Sequence, residues 1–132
     1  MNKEMYQACI DACIECMEAC NNCFDACLKE DHIKMMADCI RLDRECADIC
    51  AFAVKSMQSN SPFAKEICNL CASICKACGE ECKKHDHYHC QKCADSFFHC
   101  SRPFFSFILF LLYMKESLFA TEKTFHYFSL HQ

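Results

Sequence analysis

A single glycine and two prolines among 132 residues leave little material for tight turns. That scarcity points to long helices joined by brief connections. Tryptophan is absent, and acidic and basic residues are interspersed to a formal charge of -4 with no basic block. Without a face for phosphates, no nucleic-acid partner is expected. The opening MNKEMYQACIDACIEC holds no apolar stretch of signal-peptide length, so export by that route is not expected. What fills the chain is cysteine, 17 in all. In a short secreted chain that density would mean a disulfide framework, but such frameworks are loop-rich and this sequence is helix-patterned. The expected setting is the reducing cytoplasm, with thiols free or bound to metal.

The apolar periodicity resolves four helices. The first is expected from about Met5 to Lys29, and the second from about His32 to Met57 with Asp31 as its N-cap. Ser61 is placed to cap the third helix and Pro62 to take its first position, with the end near Lys84. HDHYHC, residues 85–90, turns the chain, and Asp86 is the candidate cap of helix four. Connections of a few residues make successive helices antiparallel. The expected fold is all-α: an antiparallel up-down-up-down four-helix bundle with a cysteine-lined core.

CIDACIECMEACNNCFDAC, residues 9–27, shows where the thiols fall. At about 100° per residue, Cys9, Cys13, Cys16, Cys20, Cys23 and Cys27 lie within about 40° of one line. Asp11, Glu15, Glu18, Asn22, Asp25 and Lys29 take the opposite face. Ile10, Ile14, Met17, Phe24 and Leu28 form one flank, and Ala8, Ala12, Ala19 and Ala26 the other, where they allow close helix approach. Helix three repeats the stripe with Cys68, Cys71, Cys75, Cys78 and Cys82. Helix two carries Cys39, Cys46 and Cys50, with Met36, Asp43 and Met57 at intervening stripe positions. Helix four carries Cys90, Cys93 and Cys100, interrupted by Phe97. Asp43 is expected to be either an inward polar ligand or, as the favoured reading, a structural salt-bridge partner of Arg41 or Arg44, and Met36 and Met57 to be core residues rather than ligands.

Cysteine as a small core hydrophobe does not account for stripes on four helices, because Leu or Ile would fill that volume better. Disulfides fit badly within a helix, where neighbouring Cβ atoms lie about 5–6 Å apart and a bridge needs roughly 3.5–4.5 Å. A thiol redox centre needs one CxxC at a helix start, and an iron–sulfur cluster needs four thiolates converging from a loop. Facing pairs could supply the four thiolates of a zinc site. Cu(I) is selected by soft thiolates and is content with two or three of them, so a ladder holds many ions. Binding of multiple Cu(I) ions accounts best for the pattern. A thiol redox protein and a zinc or iron–sulfur module stand as alternatives, and no enzymatic role is expected. Since the thiolate is the ligand, uptake should release protons.

CIDACIECMEACNNCFDAC, CIRLDRECADIC, KEICNLCASICKACGEEC and HDHYHCQKCADS together resemble the cysteine-rich four-helix-bundle copper storage proteins, specifically their cytosolic branch, over about residues 5–100. The resemblance implies many Cu(I) ions bound by core thiolates, assembly into a homotetramer, and copper buffered, stored or detoxified. A copper chaperone or copper enzyme would be the exchange partner. It also makes His85, His87 and His89 candidates for the open end through which copper passes, with His87 and His89 the expected ligands beside Cys90. Beyond Cys100 the pattern stops. The segment 101–132, SRPFFSFILFLLYMKESLFATEKTFHYFSLHQ, contains no cysteine. Its apolar run falls short of the ~20 residues of a membrane span. It reads either as an extra packing or oligomer-contact segment or as the product of a frameshift.

Overall fold

The computed structural model describes residues 3–97 and Cys100. The expectations for segment 101–132 lie outside the described residues. Helix α1 spans Lys3–Leu28, a 3-10 turn covers Ile33–Met36, α2 spans Ala37–Gln58 and α3 spans Ala64–Lys83. A fourth helix, α4, occupies 88–97, and Cys100 is also helical. No strand occurs among the described residues.

Helix α2 packs along both α1 and α3, whereas α1 and α3 make no close backbone approach. They lie on a diagonal and meet only through side chains, as in the Cys16–Cys75 and Cys20–Cys78 sulfur contacts, both 4.0 Å. This is the ring order of an up-down-up-down bundle. The thiols keep the matching register. Cys23 and Cys27 near the end of α1 meet Cys39 near the start of α2. Cys82 near the end of α3 also meets Cys39, and Cys90 near the start of α4 meets Cys23.

The helix ends explain why so little glycine suffices. At the end of α2, Asn60 adopts the left-handed conformation (φ 55°). Ser61 N–H then donates to the Ser56 carbonyl at 2.9 Å, and Asn60 N–H to the Met57 carbonyl at 3.3 Å. That is a Schellman closure with asparagine in place of the usual glycine. Ser61 Oγ accepts from Phe63 N–H at 3.1 Å, so Ser61 does cap the chain leading into α3, although the helix proper begins at Ala64. Asp31 and Asp86 do not cap. Helix α2 is entered through the 3-10 turn, which has no side-chain capping bond at His32. At the start of α4, the His87 carbonyl accepts from Cys90 and Gln91 N–H, both at 3.1 Å.

The core follows the stripes. Every cysteine is at most 2% exposed, and the other buried apolar residues are small or flexible: Ile10, Ala12, Met36, Ala47, Ala53, Met57, Ala64 and Ala94. Met36 and Met57 sit in this core as expected. Phe97, which breaks the fourth stripe, lies partly buried against the same core. Gly79 of α3 makes room for it. A methyl group at that position would stand 2.8 Å from both Cβ and Cγ of Phe97. Gly79 is therefore needed for close helix approach, and its side-chain-free surface receives the ring.

Gly79→Ala should destabilise the apo protein by about 1–3 kcal/mol through overpacking, despite the better helix propensity of alanine. Urea denaturation would measure it, and Phe97→Ala in the same chain should recover part of the loss.

Candidate metal centre

The sulfurs form consecutive layers along the bundle axis. Farthest from the histidines, Cys13, Cys50 and Cys71 converge. In the next layer Cys46 lies 3.7 Å from Cys16 and 3.4 Å from Cys75, and Cys75 lies 3.6 Å from Cys50. Cys20, Cys78 and Cys93 follow, joined by Asp43, and then Cys23, Cys39 and Cys82 with Asp43 again. At the open end stand Cys23, Cys27, Cys39 and Cys90. Within each set the ligand atoms all lie within 4.8 Å of one another. All 17 cysteines are free and buried, which argues against a redox centre that must meet a partner's disulfide.

Helix periodicity produces this geometry directly. Cysteines three and four residues apart on α1 place a sulfur at every turn, and the antiparallel neighbours repeat the rise in opposite direction. Cys9 and Cys68 are buried beyond the layers just described. Burial pushes the Cys9 thiol up to about 12, with the charge of Cys71 adding to it. Burial likewise pushes Cys68 up to about 12, helped by Cys9 and Cys71. At the other end burial raises Cys27 to about 12, followed by the charge of Cys39. These thiols keep their protons at neutral pH, so an arriving soft cation has to displace them.

Asp43 departs from the favoured expectation of an arginine partner and takes the inward position instead. Arg41 pairs instead with Asp38 at 3.1 Å and Arg44 with Asp48 at 3.8 Å, both on the exposed face. Asp43 itself is 0% exposed. Its Oδ1 accepts from the thiols of Cys78 at 3.2 Å, Cys93 at 3.4 Å and Cys82 at 3.5 Å. Its Oδ2 accepts from Cys39 at 3.7 Å. The stripe position was visible in the sequence; the choice of thiols over arginines was not. The helix turns both arginines outward, and only thiol donors are within reach. Burial, then the charge of Cys93, pushes the Asp43 carboxyl up to about 8.

The histidines divide. His89 directs Nδ1 at sulfur, 3.4 Å from Cys90, 3.5 Å from Cys23 and 3.8 Å from Cys27. His87 touches Glu30 and stacks on the His89 ring, with centroids 5.3 Å apart. His85 bonds Glu81 at 3.2 Å, away from the ladder. A cavity of about 470 Å³ beside them is lined by residues that include Glu30, His32, Met35, His85 and His87.

Asp43 gives the apo protein a pH dependence whose sign follows from proton binding. Between its ordinary value of 3.8 and about 8, the carboxyl is protonated when folded and ionised when unfolded. The unfolded chain then binds fewer protons, so this group's contribution to stability falls as pH rises through that window, by at most about 1.4 kcal/mol per pH unit. Urea denaturation of apo protein across the window should show a fall that Asp43→Asn reduces.

Comparison with known proteins sets this centre among relatives. The family model described as copper storage protein matches residues 2–104. The cysteine-rich protein YhjQ of Bacillus subtilis is 65% identical over 95 residues, covering 72% of this chain and 88% of YhjQ. Among solved structures, the Cu(I)-bound copper storage protein BsCsp3 superposes with a TM-score of 0.74 at 62% identity, covering 77% of this chain and 96% of that one. Ccsp from Streptomyces lividans, loaded with 10 copper equivalents, gives 0.79 at 32% identity over 82% of this chain and 86% of its own. Another structure of a Streptomyces lividans storage protein, described as cytosolic and carrying five coppers, gives 0.76 at 32% over 80% and 93%.

Proposed function

The chain belongs to the copper storage protein family, and on that premise we propose that its core cysteines, with His89, are the ligands through which it holds copper. The protein stores multiple Cu(I) ions in a cysteine-lined bundle. The observation that carries the ligand assignment is the layering: consecutive all-sulfur or nearly all-sulfur sets share one dry axis. Soft thiolates select Cu(I), and two or three suffice for each ion.

Each ion that binds displaces protons from the thiols it joins, so a protonated sulfhydryl and Cu(I) become a copper thiolate and a released proton. Burial makes that exchange the natural route, since an unmetallated thiolate in the dry core lacks compensation. Asp43, hydrogen-bonded to four thiols, is an oxygen ligand in two of the sets. His89 stands where the ladder meets the turn, with its nitrogen turned inward. His87 lies one step farther out and braces it. No reacting substrate is required in this reading: the protein is a store rather than an enzyme. Cytosolic residence agrees with the description of the Streptomyces protein. Among the described residues, no helix is long and apolar enough to cross a membrane.

Assembly into a homotetramer belongs to the same proposal. Phe52 and Phe63, 53% and 66% exposed near the junction of α2 and α3, offer apolar surface for contact between copies. Analytical ultracentrifugation tests this, with a monomer at micromolar concentration contradicting it. A copper chaperone or copper enzyme is the proposed exchange partner.

Anaerobic titration with Cu(I) against a colorimetric chelator should fill the chain well beyond two ions, with protons released throughout. Saturation at one or two ions, or release of none, would overturn the assignment of the thiols as ligands.

A further inference from the structure

Glu30 sits in the turn after α1, where its N–H bonds the Cys27 carbonyl at 3.2 Å. Its side chain reaches across to the start of α4. One oxygen, Oε1, lies 2.9 Å from Nε2 of His89 and 3.3 Å from Nδ1 of His87. Those two rings are nearly parallel, with 8° between their planes. An ionised carboxylate can only accept a hydrogen bond. Nε2 of His89 must therefore carry the proton, and a neutral imidazole has only one to carry. Nδ1 is left with its lone pair, and Nδ1 is the atom that faces Cys23, Cys27 and Cys90.

We propose that Glu30 is a positioning residue for copper uptake: it holds His89 in the Nε2–H tautomer and aims Nδ1 at the Cys23, Cys27, Cys39 and Cys90 set. This rests on the reading of His89 as a ligand. Glu30 does not touch the metal itself. Its carboxylate fixes the tautomer and raises the basicity of the ligating nitrogen, as outer carboxylates do for metal-binding histidines. The second bond to His87 adds orientation. It holds the His87 ring stacked beside that of His89, so that His89 loses both the Glu30 bond and the stack if it swings out of the turn. Without the carboxylate, the imidazole proton is free to sit on Nδ1, pointed at the sulfurs, where it would block the ligating lone pair.

Two measurements on the full chain test this. Nitrogen-15 NMR of apo protein should show His89 as the Nε2–H tautomer, and Glu30→Ala should shift it toward a mixture of both. Loading from a Cu(I)–chelator complex should show a loss of about 10–100-fold in first-equivalent affinity in Glu30→Ala, with total copper capacity unchanged. Glu30→Gln, whose amide oxygen still accepts from Nε2, should recover most of both readouts. Adding Glu30→Ala to His89→Ala should cost nothing further. If Glu30→Ala loads like the parent while His89→Ala is impaired, the proposal fails and the ligand reading stands. If His89→Ala loads normally, the ligand reading itself fails. A drop in capacity with the tautomer unchanged would assign Glu30 a merely structural role and overturn the proposal.

Discussion

The rest of the structure depends on a dry axis built from sulfur. A cysteine side chain is short, so four helices can present one at every turn and still approach closely, with alanines on the flanks. The same choice removes the bulky aliphatic residues that usually supply a bundle's cohesion. Among the described residues, none of the fully buried side chains is a leucine or phenylalanine. Cohesion in the apo state therefore rests on many modest thiol contacts, and metal that binds the converging thiols of the folded chain more tightly than those of the unfolded one adds to it by mass action. Fold and cargo stabilise each other.

That dependence explains the few places where the interior is not sulfur. Asp43 brings a carboxyl into the middle of the ladder, and both of its oxygens accept from thiol donors rather than from a counter-charge. Gly79 and Phe97 form a complementary pair: one side chain is deleted so that a large one can lie across the helix interface. Phe97 thus takes the stripe position between Cys93 and Cys100, partly buried against the core, and Cys100 returns to the buried stripe one turn later.

Much of this was legible in the residues. A stripe repeated on four segments specifies the bundle and its cysteine-lined axis, because helical phase is set by local geometry, and the short connections specify the antiparallel order. The same phase put Asp43 on the stripe and His89 beside Cys90. What it could not supply was register across helices. Whether Asp43 would meet arginine or thiol, whether His87 or His89 would turn inward, and what Glu30 would touch from 59 residues away along the chain are questions of cross-helix contact. The spacing of one helix says nothing about them. The helix entrances were missed for a different reason: backbone carbonyls and a 3-10 turn did the work assigned to Asp31 and Asp86, and single-residue preferences do not report that choice.

The layers also share members. Cys50 takes part in two of the sulfur sets, and Cys23 and Cys39 each belong to both sets nearest the open end. Such sets are not separate compartments. An ion placed in one layer alters the charge, orientation and remaining valence of sulfurs that the next layer must use. With these thiols as the proposed ligands, filling one layer is coupled to filling the next. Capacity becomes a property of the column as a whole, and no single thiol carries a fixed share of it.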